Sequence, residues 1–356
     1  MTCLSAHLTR RTWLGAALAG SLGCPARTGW ATPSLARSLT LGTQPLGVPC
    51  GAIGALMGRD RVLHHALASS QWRVTSRPFS KGSDMLPLFP LRQLTAGFLG
   101  DMPTLVTASL GETVIVGMAK QTATAIVGRG IERLEDLRGR RVGYIEASSA
   151  HYTLLRGLHL AGMGETHITL VPLAIDQMVN ALDRGDIDAF AGWEPASSLA
   201  LMRHRANRVI FRGSTTDYLV LSHSFAQDHP EVCRILIAGF VRAIQWMRRS
   251  RLNLDKAVRW ANEDATSFSG RSLELPLRQL IAIVQRDLLE VPSAPLVSWQ
   301  DVLPPLQQEF EFLAGLGKLP SQARWAHVEQ AFGYDGLPTV LTQAQRYQTD
   351  IFNYRE

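Results

Sequence analysis

The chain has 356 residues, 46% of them hydrophobic and 19% charged, with 36 basic against 30 acidic side chains and four cysteines. That is a globular composition with room for two domains. No segment beyond the N-terminal leader approaches the roughly 18 consecutive apolar residues a membrane span needs.

The first 36 residues read as an export signal. Arg10 and Arg11 precede the short apolar stretch "WLGAALAGSLG", and small residues follow in "GWA" and "SLA". Basic region, apolar region and small-residue exit come in the order of a secretory leader, and the paired arginines point to the twin-arginine route. A lipid anchor on Cys24 is disfavoured, because Ser21 stands three residues before it where leucine is usual. The leader holds Arg10, Arg11 and Arg27 and no acid, which leaves 33 basic against 30 acidic residues, a net +3. The remaining basic clusters, "RGRR", "RHRANR" and "MRRSR", are separated and lack interleaved aromatics, so they read as solvated faces rather than a nucleic-acid footprint. Cys50 and Cys233 remain after the leader and read as two free or buried thiols. The sequence has no Cys-x-x-Cys and no His/Cys cluster of metal spacing.

From residue 39 to about 225, strand and helix signals alternate, which predicts an α/β fold. Strands are expected at 38–43, 72–79, 94–100, 113–119, 122–129, 168–173 and 187–192. Residues 45–51 form a turn-rich loop after the first. Beyond about residue 228 the pattern is helical, with Val232, Ile235, Leu236 and Gly239 on one face. "RVGYI" at 141–145 is a short strand, and His151, Leu154, Leu155 and Leu158 recur at helical spacing after it. Ala147–Ala150 is therefore a strand-to-helix turn, with Ser148 or Ser149 as N-cap and Gly162 ending the helix. Such a turn is either an ordinary capped helix or a site whose N–H groups hold an anion.

Two segments resemble each other. Residues 84–103 and 176–195 each run from an aspartate through a helix-like stretch into a short strand that ends in Gly-x-x-Pro, at Gly100–Pro103 and Gly192–Pro195. Shared βα composition would give this by chance. Two similar lobes would instead place both turns on one cleft at the carboxyl ends of the strands.

Four stretches in order carry a family resemblance: "FLGDMPTLVTASLG", "IERLEDLRGRRVGYIEASSAHYTLLRGLHLAG", "MVNALDRGDIDAFAGWEP" and "FAQDHPEVCRILIAGF". The chain resembles the periplasmic substrate-binding proteins of ABC importers, in the nitrate, sulfonate and taurine branch. The resemblance runs, with gaps, from about 39 to 265; 266–356 match only in helical character. It implies a two-lobed, type II-like α/β periplasmic-binding fold with a ligand cleft between the lobes. Lobe one would comprise 37–122 and 218–356 with the C-terminal helices, and lobe two 123–217. It further implies a monomer in the periplasm that captures a sulfonate, taurine or another small anion or zwitterion and passes it to an ABC permease, with no catalytic residue, metal or cofactor. The ligand contacts carried over are Pro45, Leu46, Gly47, Gly100, Asp101, Met102, Ser148, Ser149, Ala150, His151, Trp193 and Glu194. Ala147 departs from the family, which usually has glycine there, and the first loop lacks the usual lead-in to the first helix.

The chemistry of these residues suits an oxyanion. The two serines and the helix N-terminus supply donors without a full counter-charge. His151 is either a further donor or a packed core histidine, Trp193 either covers the ligand body or sits in the core, and Asp101 either binds or caps its helix. Glu194 beside an anion site would favour a zwitterion with an amine. An alternative function is a binding protein or enzyme of the same fold that handles a thiamine-precursor pyrimidine. A hydrolase would need a positioned nucleophile and base, and no G-x-S-x-G elbow is present.

Overall fold

The computed structural model describes residues 37–288 and 305–356. The expected leader and Cys24 lie outside the described residues. The strands are β1 (Arg37–Thr43), β2 (Trp72–Pro78), β3 (Ala96–Gly100), β4 (Thr113–Arg129), β5 (Arg141–Tyr144), β6 (Thr169–Pro172), β7 (Ala189–Gly192) and β8 (Asn207–Ser222). They form one sheet in the order β2-β1-β3-β8-β4-β7-β5-β6. The three strands at each end are parallel to one another, while β4 and β8 pair antiparallel along their length through the middle. Residues 113–119 and 122–129, expected as two strands, are a single 17-residue strand. The polar Lys120–Gln121 step suggests a break in the sequence, but its backbone stays paired with β8 across bulges near Ile115 and Met118. A bulge absorbs an extra residue without ending the ladder.

Thirteen helices flank the sheet among the described residues: α1 (Cys50–Arg59), α2 (Arg61–Ser69), α3 (Asp101–Ser109), α4 (Ser149–Leu160), α5 (Ile175–Arg184), α6 (Ala196–Arg203), α7 (His223–Asp228), α8 (Pro230–Arg249), α9 (Arg251–Ser269), α10 (Leu277–Asp287), α11 (Pro305–Gly315), α12 (Trp325–Phe332) and α13 (Gly336–Thr342). α5 buries Ile175, Met178, Val179 and Leu182, which fall at helical spacing on one face, and Gly185 closes the helix in the left-handed region. Its counterpart at 82–88 is a 3-10 segment. Pro87 lies inside that segment, and a proline removes a backbone donor and crowds the preceding turn, so an α-helix is not sustained there.

Helices cover both faces of the sheet, as parallel strands require. One large apolar core joins β1, β3 and the middle strands to α1, α2, α8, α9 and α10. Around β5 and β7, a second core takes in α5 and α6 and a third takes in α4. The C-terminal segment is fixed to the first core by a buried ion pair: Arg242 of α8 meets Asp60 at 2.7 Å and donates to the carbonyls of Tyr347 and Gln348. Asp60 also caps α2 through the N–H groups of Val62 and Leu63.

Candidate functional site

The strand register brings the loop ends together at the middle of the sheet. Gly100, the last residue of β3, lies opposite Asp217 of β8. Asp217 lies opposite Lys120 of β4. Further along β4, Ala125 pairs with Gly192, the last residue of β7. The carboxyl ends of β3 and β7 therefore face a shared space from opposite sides, β3 running directly into α3 and β7 reaching α6 through the turn at 193–195. The loop 44–49 before α1 and the turn 145–148 before α4 close the same space from β1 and β5.

This space is a cavity lined by Gln44, Gly47, Cys50, Gly82, Gly100, Pro103, Lys120, Thr124, Ser148, Ser149, Trp193, Thr215 and Asp217. Both Gly-x-x-Pro turns contribute, through Gly100 and Pro103 and through Trp193. The N-termini of α1, α3 and α4 reach the wall as Cys50, Gly100 and Pro103, and Ser148 and Ser149. Unpaired N–H groups and the positive ends of helix dipoles favour a negative charge there.

The charged groups of the cavity come from the two long strands. Lys120 Nζ lies 3.2 Å from Asp217 Oδ2 with both side chains nearly buried. Burial opposes the ammonium, but the carboxylate of Asp217 outweighs it and the Lys120 pKa rises, so the amine stays charged. Cys50 donates its S–H to Asp217 Oδ2 at 3.2 Å. Burial, and then the charge of Asp217, push this thiol well above its ordinary value. Cys50 and Cys233 are both free and buried, as read from the sequence, although Cys50 opens a helix rather than sitting in a loop. Thr215 is only 2% exposed, and its hydroxyl has no partner within the protein. A buried hydroxyl left unsatisfied is costly, so its place in the cavity wall points to a polar ligand atom.

Of the twelve residues expected at the site, Gly47, Gly100, Ser148, Ser149 and Trp193 line this cavity. Asp101 and Met102 lie buried just behind Gly100. Asp101 Oδ1 accepts from the N–H of Met102 at 2.8 Å, and Oδ2 accepts from the N–H of Thr216 at 3.3 Å. Burial raises the Asp101 pKa to about 6, against the opposing pull of Ser149. Ala150 packs in the apolar core behind α4. Pro45 lines a separate opening along α1, and Leu46 a groove against Ile175 and Pro195.

His151 turns away from the cavity. Its Nε2 meets Glu165 at 3.0 Å, its Nδ1 accepts from the N–H of Ala147 at 3.3 Å, and its ring packs on Tyr144. Burial lowers its pKa despite Glu165. Lys318 also reaches Glu165, at 2.5 Å. Glu194 is consumed by α6: its carboxylate takes the N–H and the hydroxyl of Ser198, and Arg286 lies 3.5 Å away. Ser148 is the N-cap of α4, accepting from the N–H of His151 and donating to the carbonyl of Ile145 at 2.6 Å. Ala147 has φ of +54°, which explains why glycine suits this turn.

Sequence reasoning missed Lys120, Asp217, Thr215, Thr124, Gln44, Gly82 and Cys50. A lysine inside a run of β-branched residues was the available signal for Lys120, since a lysine is rarely buried unless it is paired. Nothing local singles out Asp217, because its partner lies across the sheet.

A cavity closed by helix N-termini at the midline of one sheet, with two long strands running past it, is the architecture of the two-lobed periplasmic binding proteins. Residues 114–250 match the family described as NMT1/THI5 like. The chain is 27% identical over 219 residues, 58% of its length, to the "Putative aliphatic sulfonates-binding protein" of Escherichia coli (strain K12). It is 25% identical over 203 residues, 51% of its length, to the "Taurine-binding periplasmic protein" of the same organism. These matches span 67% and 62% of the two relatives' own lengths. The crystal structure of the periplasmic aliphatic sulphonate binding protein SsuA from Escherichia coli superposes with a TM-score of 0.61 at 22% identity, covering 85% of this chain and 99% of that one. The fold is therefore the one these binding proteins share.

Proposed function

We propose that the protein is an extracytoplasmic solute-binding protein that captures a small organosulfonate and delivers it to an ABC importer. The observation that carries this reading is the cavity itself, where Lys120, the unpartnered hydroxyl of Thr215 and the N-terminus of α4 converge. A sulfonate stays ionised at physiological pH and offers oxygen acceptors to these donors. Asp217 cancels the charge of Lys120, so the site suits a weakly hydrated monoanion rather than a multiply charged one. Trp193 and Pro103 offer an apolar wall for a short alkyl body, and Asp217 is placed to receive the ammonium of an aminosulfonate such as taurine. Names of relatives that bind sulfonates and taurine support the same class.

The lobes of this reading are 37–122 with 218–356, and 123–217, joined where β4 and β8 pass the cavity. Closure about these strands would trap the ligand. Export of a monomer to the periplasm through the leader at 1–36 and docking to a membrane permease complete the proposal.

A thermal-shift series with ethanesulfonate, taurine, nitrate and a thiamine-type pyrimidine tests it. A ligand at 100 times its Kd stabilises the native state by about 2.7 kcal/mol. Ethanesulfonate or taurine should raise Tm by several degrees, and small-angle scattering should show a smaller radius of gyration with the same ligand. A Tm raised only by the pyrimidine, or by none of the four, would sink the sulfonate assignment.

A further inference from the structure

His151 lies outside the cavity, yet it is tied to the turn that forms part of the cavity wall. It is the third residue of α4, after Ser149 and Ala150. Its backbone N–H donates to the cap, Ser148 Oγ, at 3.2 Å. Its ring reaches back over the same turn, where Nδ1 takes the N–H of Ala147 at 3.3 Å. In an ordinary capping box the side chain at this position takes the N–H of the cap residue itself. Here the bond lands one residue earlier. Among the described residues, no group of the protein takes the N–H of Ser148, Ser149 or Ala150. Ser148 and Ser149 line the cavity. The arrangement braces the turn and leaves its three N–H donors unspent.

The brace is needed because of Ala147. Its φ of +54° lies in the left-handed region, which a residue with a side chain keeps only where its surroundings hold it. The Ser148 hydroxyl, donating to the carbonyl of Ile145 at 2.6 Å, fixes one side of the turn, and His151 Nδ1 fixes the other. The ring can do this in one state only. A backbone N–H is a donor, so Nδ1 must be bare, and a neutral imidazole then carries its proton on Nε2. That proton goes to Glu165 Oε1 at 3.0 Å, while Lys318 Nζ, just after α11, holds the other oxygen of Glu165 at 2.5 Å. The partner of one ring nitrogen sets the state of the other. Without Glu165 either tautomer is open, and the one with a proton on Nδ1 would face Ala147 donor to donor. An imidazolium would do the same. Burial, the largest influence on His151, lowers its pKa despite Glu165 and so favours the neutral ring.

We propose that His151 is a positioning residue of the cavity: held in its Nε2–H form by Glu165 and Lys318, it fixes the left-handed turn at Ala147 and so aims the N–H groups at the start of α4 at a ligand oxyanion. This rests on the reading of the cavity as an anion site. His151 acts through the turn and does not touch the ligand.

The test uses the full-length protein, with ethanesulfonate as probe. Asparagine places Oδ1 where histidine holds Nδ1, so His151→Asn keeps an acceptor for Ala147 and His151→Ala removes it. In the ligand-free wild type at neutral pH, nitrogen NMR of the ring should show a bare Nδ1 and a protonated Nε2, and Glu165→Leu should mix the two tautomers. Amide exchange at Ala147 should speed up in His151→Ala and stay near the wild-type rate in His151→Asn. Ethanesulfonate should bind His151→Ala about tenfold more weakly and His151→Asn within about threefold of wild type, the scale of one hydrogen bond lost or kept. A proton found on Nδ1 overturns the proposal. Equal weakening in the two variants does so as well, since the histidine would then be a packed core residue and no more, and so does a His151→Ala that binds as wild type. Should His151→Ala not fold, the wild-type ring spectrum and the affinity of His151→Asn decide. If ethanesulfonate does not bind the wild type, the sulfonate reading falls, and the ring spectrum with the Ala147 exchange rates still decides whether His151 holds the turn.

Discussion

The two Gly-x-x-Pro turns begin alike and end differently. At Gly100 the following acid, Asp101, is buried under the cavity and bonded to the N–H groups of Met102 and Thr216. At Gly192 the acid stands one position later in the turn, and this Glu194 folds back onto α6 and bonds Ser198. Neither carboxylate is offered to the cavity. What the turns supply is shape, with Gly100, Pro103 and Trp193 as wall, while the full charges come from Lys120 and Asp217 on the strands between them. A turn repeated in two halves of a molecule can keep its backbone role in both while its side chain is recruited differently by whatever packs behind it.

If charge resides on the strands, Lys120→Met should have the largest effect. It leaves Asp217 buried without its partner, and breaking a buried pair by removing one member costs about 3–5 kcal/mol. Denaturant melts should show that loss, and ethanesulfonate binding should fall by about a hundredfold or more, the equivalent of roughly 3 kcal/mol. Unchanged affinity in a folded Lys120→Met would remove the strands from the recognition of charge.

The glycines sharpen the contrast next. Gly100→Ala drives a methyl into Ser149 Oγ, with Asp217 Oδ1 3.4 Å away. Overpacking of this kind costs about 1–3 kcal/mol, and here it also displaces the cavity's serine, so affinity and stability should fall together. In Gly192→Ala the new methyl meets the Phe190 ring at 3.0 Å and Ile175 Cδ1 at 3.1 Å, buried side chains that need yield only a few tenths of an ångström. The expected loss is about 1 kcal/mol, the low end for overpacking, with little change in binding. Equal effects at the two glycines would show that the turns are interchangeable after all.

Glu194→Gln should be the mildest. It weakens a cap on α6, worth about 1 kcal/mol, and should leave the ratio of ethanesulfonate to taurine affinities unchanged. A selective loss of taurine binding would return Glu194 to the site as the ammonium's partner.

Much of the architecture was legible in the sequence because its signals are local. The β-branched strands, the amphipathic face of α5 and the cap before α4 follow from residues a few positions apart, and the structure shows each. The two Gly-x-x-Pro turns were readable as a pair, and both reach one cavity. Where the reading of β4 failed, the cause was non-local: a lysine looked like the end of a strand because its counter-charge, Asp217, is 97 residues away in sequence and directly opposite across the ladder.

The sequence by itself determined the α/β alternation, the helix starts at Ser149 and beyond Gly100, and the apolar faces, since periodicity and capping are set by the spacing of side chains along one chain. Only the tertiary structure decided which polar groups remain available to a ligand. His151 and Glu194 find partners within the fold, at Glu165 and Ser198, and drop out of the cavity, while Ser148 stays in its wall with its hydroxyl donated to Ile145. Lys120, Asp217 and Thr215 enter it because two distant strands pair in one register. Hydrogen-bonding capacity is spent on the nearest partner in space, and proximity in space is what the order of residues along the chain does not state.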